Sequence, residues 1–150
     1  MKHIIKRMAV LLIPVYLWFA FFVIFEPNNY FGLKSSAGSS QPVARVRAYQ
    51  KEPGRSLILG DSRFAHFDME LIREITGEEW QNLAFGGASL HETLDLAQYI
   101  LDSGNPVDRM VFEVSFYVLN ANYATDRFAA LEETLNNPIA YCLNLEYNVN

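Results

Sequence analysis

One cysteine, Cys142, occurs in the 150 residues, so the chain cannot close an internal disulfide. A buried core thiol is the ordinary role of such a residue. Histidine is nearly as scarce. His3, His66 and His91 are scattered, and no Cys/His cluster shows metal-ligand spacing, so neither a metal nor any other cofactor is expected. No cysteine follows the first apolar run, which argues against a lipid-modified N-terminus. Basic residues are few and unevenly placed. Lys2, Lys6 and Arg7 precede the apolar run, and from Glu26 onward 9 Lys and Arg face 17 Asp and Glu, a net of −8. Without a Lys/Arg stripe to follow a phosphate backbone, nucleic acid is set aside as a partner. No internal repeat is visible. Apolar residues make up 51% of the chain, enough to argue against bulk disorder.

What is present starts with an uncharged run from Met8 to Phe25, MAVLLIPVYLWFAFFVIF. As a helix it would extend roughly 27 Å, close to the hydrocarbon thickness of a bilayer. Pro14 is no obstacle, because membrane helices tolerate proline. Three basic residues stand before the run and Glu26 after it, which predicts a cytoplasmic tail over 1–7, a transmembrane anchor over 8–25 and an extracytoplasmic remainder on a single-pass chain. A cleavable signal sequence is the competing reading. The run is long for one, and no small-x-small site directly follows Phe25.

Residues 26–52 turn to Pro, Asn, Gly and Ser, with SSAGSSQP at 35–42, and are expected as a linker or arm containing a short helix over Ala44–Glu52. A regular alternation follows. Ser56–Gly60 (SLILG) reads as a strand buried on both faces. Asp68 caps a helix to Thr76 with Met69, Leu71, Ile72 and Ile75 as its apolar stripe, and Gly77 stops it. Trp80–Phe85 is a weaker strand. Ser89 and Glu92 form a capping box opening a helix to Asp102. Arg109–Phe116 is a third strand, and Asp126–Leu135 a third helix halted at Asn136-Asn137-Pro138. Such alternation predicts a parallel sheet with functional residues beyond the strands' carboxyl ends, at Gly60–Phe64, Ala84–Ala88 and Ser115–Asn120.

Each place is chemically unusual. Gly60-Asp61-Ser62-Arg63 puts a hydroxyl at a strand exit, where surrounding amides can stabilise an anion. Asn82-Leu83-Ala84-Phe85-Gly86-Gly87-Ala88-Ser89 offers paired glycines that let backbone amides come close to a reacting oxygen. Either could be a plain turn. A nucleotide-binding domain is a weaker rival, since GDSRFAHFD has one glycine and no P-loop lysine.

Together, ILGDSR and NLAFGGAS resemble the first two blocks of the SGNH (GDSL-like) hydrolase superfamily, over roughly residues 55–120. The later SFY behind a single anchor is similar to SGNH-like proteins of bacterial envelopes. The resemblance implies a three-layer α/β/α flavodoxin-like parallel sheet over 53–150, with Ser62 as nucleophile and the amide of Ala84, standing where the family has glycine, as oxyanion donor. Asp61, Arg63, Gly86 and Gly87 would serve binding. Tyr117 and Asn120 are the two candidates for the third block, although Glu113–Tyr117 departs from the family's G-x-N-D. The family's D-x-x-H is missing from the chain, so the resemblance implies the front portion of such a domain. His66 is expected as an exposed loop residue and His91 as part of a solvated helix face. The implied activity is that of a serine esterase or O-acyltransferase acting on an acylated envelope glycan. The alternative is a non-catalytic SGNH-like module, or an inactive fragment, that binds the envelope. Three strands would also leave a sheet edge open to self-association.

Overall fold

The computed structural model describes residues 2–33, 39, 41–120, 122–123 and 125–144. Most of the serine-rich stretch of the expected linker, 35–38 and 40, lies outside the described residues. The chain begins with helix α1 (Lys2–Phe25), whose Lys6–Phe25 portion is long and apolar enough to cross a membrane and has no fully buried residue, although Phe22 packs on the core. Then come α2 (Pro42–Lys51), β1 (Ser56–Leu59), α3 (Ser62–Ala65), α4 (Met69–Thr76), β2 (Gln81–Asn82) and α5 (Leu90–Asp102). β3 (Arg109–Phe112), a 3-10 turn (Phe116–Leu119), α6 (Phe128–Asn136) and α7 (Pro138–Leu143) complete the described chain.

The architecture is mixed α/β around a three-stranded parallel sheet in the order β2-β1-β3. β1 is central and buried along its whole length, as a continuous apolar strand requires. Leu57 and Leu59 point into the main core with Leu83, Phe85, Leu96, Ile100, Leu131 and Leu135. Ile58 points the other way, where it lines a smaller apolar cleft with Val111 of β3, Ile72 of α4 and Phe64, Phe67 and Trp80. Helix α4 covers that side thinly. Leu71 and Ile75 of its expected stripe are exposed, and none of its residues is fully buried.

Local chemistry sets the boundaries. The Asp68 carboxylate accepts from the amides of Glu70 and Leu71, and Gly77 closes α4 in the left-handed conformation. Ser89 and Glu92 make the full capping box. Strand β2 is only two residues by ladder pairing, yet Leu83 and Phe85 continue to donate to the carbonyls of Ile58 and Gly60 at 2.8 and 3.1 Å. β3 stops at Phe112 rather than Phe116, and the chain turns into the 3-10 segment. Pro138 opens α7 as its first residue instead of merely ending α6, with Asn137 accepting from Ile139 and Ala140.

The expected arm over 26–52 does not hold for its described part. Val43, Val46 and Tyr49 of α2 are buried in the main core, and so is Tyr30. Their spacing at i, i+3 and i+6 puts one face of α2 on the sheet-side core. This segment is therefore part of the folded unit.

Candidate functional site

The three strand ends meet at one pole of the sheet, held by bonds between segments far apart in sequence. The Phe85 amide donates to the Gly60 carbonyl at 3.1 Å, and the Glu113 amide to the Leu59 carbonyl at 2.9 Å. Gly60 is required by this approach: a Cβ there would lie 2.6 Å from Glu113 Cβ. Asp61 is buried, and its Oδ1 accepts the Arg63 amide at 2.9 Å while Oδ2 accepts the Ser115 hydroxyl at 3.2 Å. The Asp61 amide donates in turn to Glu113 Oε2 at 3.1 Å. Burial pushes the Glu113 carboxyl above its ordinary value, and a shared hydrogen bond and like charge from Asp61 push it further. The half-exposed Arg63 guanidinium stands 3.7 Å from Asp61 and 3.6 Å from Glu113, so it is engaged with acids of the protein itself.

Ser62, the first residue of α3, follows Asp61 directly and is exposed, with its hydroxyl bonded to none of the described residues. His66 ends the same short helix. It lines a cleft of ≈ 380 Å³ with Arg45, Asn82 and Phe67, which Ser62 does not line.

The second block is braced from behind. Asn82 Oδ1 accepts from the Ala84 amide at 3.0 Å and from Arg45 Nη1 at 2.7 Å, while Asn82 Nδ2 donates to the Phe64 carbonyl at 2.7 Å. Arg45 also donates to the carbonyls of Ala65 and Ala84. Ala84 is fully buried and its amide is already committed, so the oxyanion role expected for it is not available in this arrangement. The Gly86 and Gly87 amides make no such bond among the described residues, and Gly87 has φ 66°, a conformation that favours glycine. They are the more accessible donors of this loop.

Glu92, with no exposed side-chain surface, ties the loop to residues 125–127. It accepts from the Arg127 amide at 2.7 Å, from Arg127 Nε at 2.9 Å and from the Thr125 hydroxyl at 2.6 Å. Arg127 Nη2 reaches the Gly87 carbonyl at 2.9 Å. Burial alone would raise the Glu92 carboxyl, but these bonds and the Ser89 amide outweigh it and hold the group down at about 2. Glu92 keeps the capping-box role read from the sequence and adds this long-range tie to it. His91 itself is exposed, with Nδ1 2.8 Å from Asp95 Oδ2. His91, Asp95 and Asp126 bring ligand atoms within 4.8 Å of one another, a grouping invisible in sequence because Asp126 comes from a distant loop.

Asn120 is exposed and turned to its own loop, where Oδ1 accepts the Asn122 amide at 3.0 Å. The Tyr117 side chain lies outside the described part of the structure. Asn120 is not joined to Ser62 by a hydrogen bond among the described residues. Sequence reading passed over Arg45 and Arg127 as site-building residues. Nothing local marks them, since each acts on segments tens of residues away.

Comparison with known protein families, with curated proteins and with solved structures returns no match for this chain.

Proposed function

We propose that this chain carries the nucleophile of a membrane-anchored serine acyl-transfer site of SGNH type. The observation that carries the reading is Ser62 itself: an exposed hydroxyl at the carboxyl end of the central parallel strand, directly after buried Asp61, in a strand exit that the Phe85 amide joins to the second block through the Gly60 carbonyl. Parallel α/β sheets place their chemistry at that pole. The order β2-β1-β3, with α2, α5 and α6 toward one face and α4 toward the other, supports the three-layer flavodoxin-like arrangement.

In this reading the Ser62 hydroxyl attacks an ester carbonyl and gives its proton to a base, the amides of Gly86 and Gly87 meet the developing oxyanion, and the alcohol departs with that proton. Water or a sugar hydroxyl then takes the acyl group. Of the histidines, His66 and His91 stand nearest this pole in the topology. With Lys2, Lys6 and Arg7 in α1 ahead of its apolar run and Glu26 after it, the domain lies outside the cell, and an acylated envelope glycan is the substrate class that location offers.

The second reading, a glycan-binding module without turnover, is favoured by one observation: no base is bonded to Ser62 among the described residues. Acyl release from an aryl acetate and from an O-acetylated glycan, measured on the vesicle-reconstituted protein, separates the two. Ser62→Ala should lower the rate at least ~10³-fold. An unchanged rate would remove Ser62 as nucleophile. Glycan binding without release by either form would establish the module.

A further inference from the structure

The end of α1 is not joined to the domain by a free segment. Phe22, in its last turn, packs on Tyr141 of α7 with ring centroids 6.0 Å apart. Tyr30 stacks on Tyr141 at 4.1 Å and 6°, and its hydroxyl donates to the Thr134 carbonyl at 2.9 Å. Arg47 lies 3.9 Å over the Tyr30 ring. The polar groups are equally fixed. Glu26 is 3% exposed, and its Oε2 accepts the Tyr141 hydroxyl at 2.6 Å and the Asn28 amide at 2.9 Å. Asn28 Nδ2 completes the set with a 3.3 Å bond to the Tyr141 oxygen.

These contacts set the depth of α7. The apolar span ends at Phe25, so Phe22 lies roughly 4.5 Å inside its end at the α-helical rise. Tyr141 is packed against Phe22, hence α7 sits level with the last turn of the span. The helix reads PIAYCL and carries no charge. Ile139 and Leu143, one turn apart on the face away from Tyr141, are 70% and 73% exposed, and Leu33 near Phe31 is 63% exposed. In water this would be an unexplained apolar surface. At the depth of Phe22 the surroundings are the boundary between headgroups and acyl chains, where such side chains belong.

We infer that α7, through Ile139 and Leu143, is immersed in the interfacial layer of the bilayer, so that the domain rests on the membrane at fixed height. The inference rests on the reading of α1 as a transmembrane anchor, and its partner is a phospholipid surface.

The test uses the 150-residue chain in vesicles of phosphatidylcholine and phosphatidylglycerol, carrying a bimane label at a single cysteine in a Cys142→Ser background. Leu143→Cys reports on α7, Leu94→Cys on the exposed face of α5, and Leu11→Cys on the middle of α1. Phospholipids spin-labelled near the headgroup should quench the label at 143 several-fold more than at 94, and aqueous iodide should do the reverse. Equal behaviour at 143 and 94, with 11 still quenched from the lipid, would overturn the immersion of α7 and leave the anchor standing. Loss of lipid quenching at 11 as well would overturn the anchor and the inference with it.

Discussion

Glu92 begins as a capping residue and ends as the knot between two loops. A carboxylate without solvent exposure is tolerated only when every oxygen is engaged, and here an arginine, a hydroxyl and two amides do so. Its value falls from an ordinary 4.5 to about 2, so it favours the folded state above the ordinary value. That contribution fades as pH drops from about 4.5 toward about 2. Glu92→Gln should therefore destabilise the protein at neutral pH by about 2 kcal/mol, allowing for screening at half-exposed Arg127. In urea melts the gap between variant and parent should close on acidification. A gap that stays constant with pH would remove the ion pair as its cause. Glu113 works in the opposite sense, since its raised carboxyl favours the folded state at low pH and loses that advantage as pH rises. The Ser89/Glu92 box was legible because both partners lie within one helical turn. The Glu92–Arg127, Asp61–Glu113 and Arg45 contacts were not, because long-range pairing leaves no local spacing to read.

At the scale of elements, β1, α4 and α5 were readable to within a residue or two from apolar runs, caps and stop glycines. α2 was placed as a helix but not as core, since PVARVRAYQK has too few apolar positions to advertise a buried face. β3 is an open edge, of the kind that three strands were expected to leave. It pairs with β1 on one side only among the described residues, and Val111, Phe112, Val114 and Phe116 leave an apolar surface along and beyond it, Phe116 being 92% exposed. Unpaired amides beside exposed β-branched and aromatic side chains invite a second strand. Val111→Lys should reduce self-association of detergent-solubilised protein while leaving the melting temperature within a few degrees, read by sedimentation velocity and thermal unfolding. An unchanged sedimentation profile would place self-association elsewhere.

For the whole molecule, composition and charge asymmetry were enough to divide the chain after Phe25, but not to show how the two parts meet. The join depends on Glu26, Asn28 and Tyr141, of which the last lies 115 positions from the first. Tyr141→Phe removes one hydroxyl and leaves the buried Glu26 carboxylate short of a donor, a loss of about 1–3 kcal/mol. A nitroxide label on α5 in vesicles should then show faster rotational averaging than in the parent. Identical spectra would mean that ring packing alone holds the join. A domain seated this way works as a stanchion and not as a leash. With α1 across a bilayer, Ser62 would keep one altitude above the lipid and explore the surface only by sideways drift. Molecules outside that thin stratum would have to be brought to it, and the geometry of the anchor would choose among them before any chemistry began.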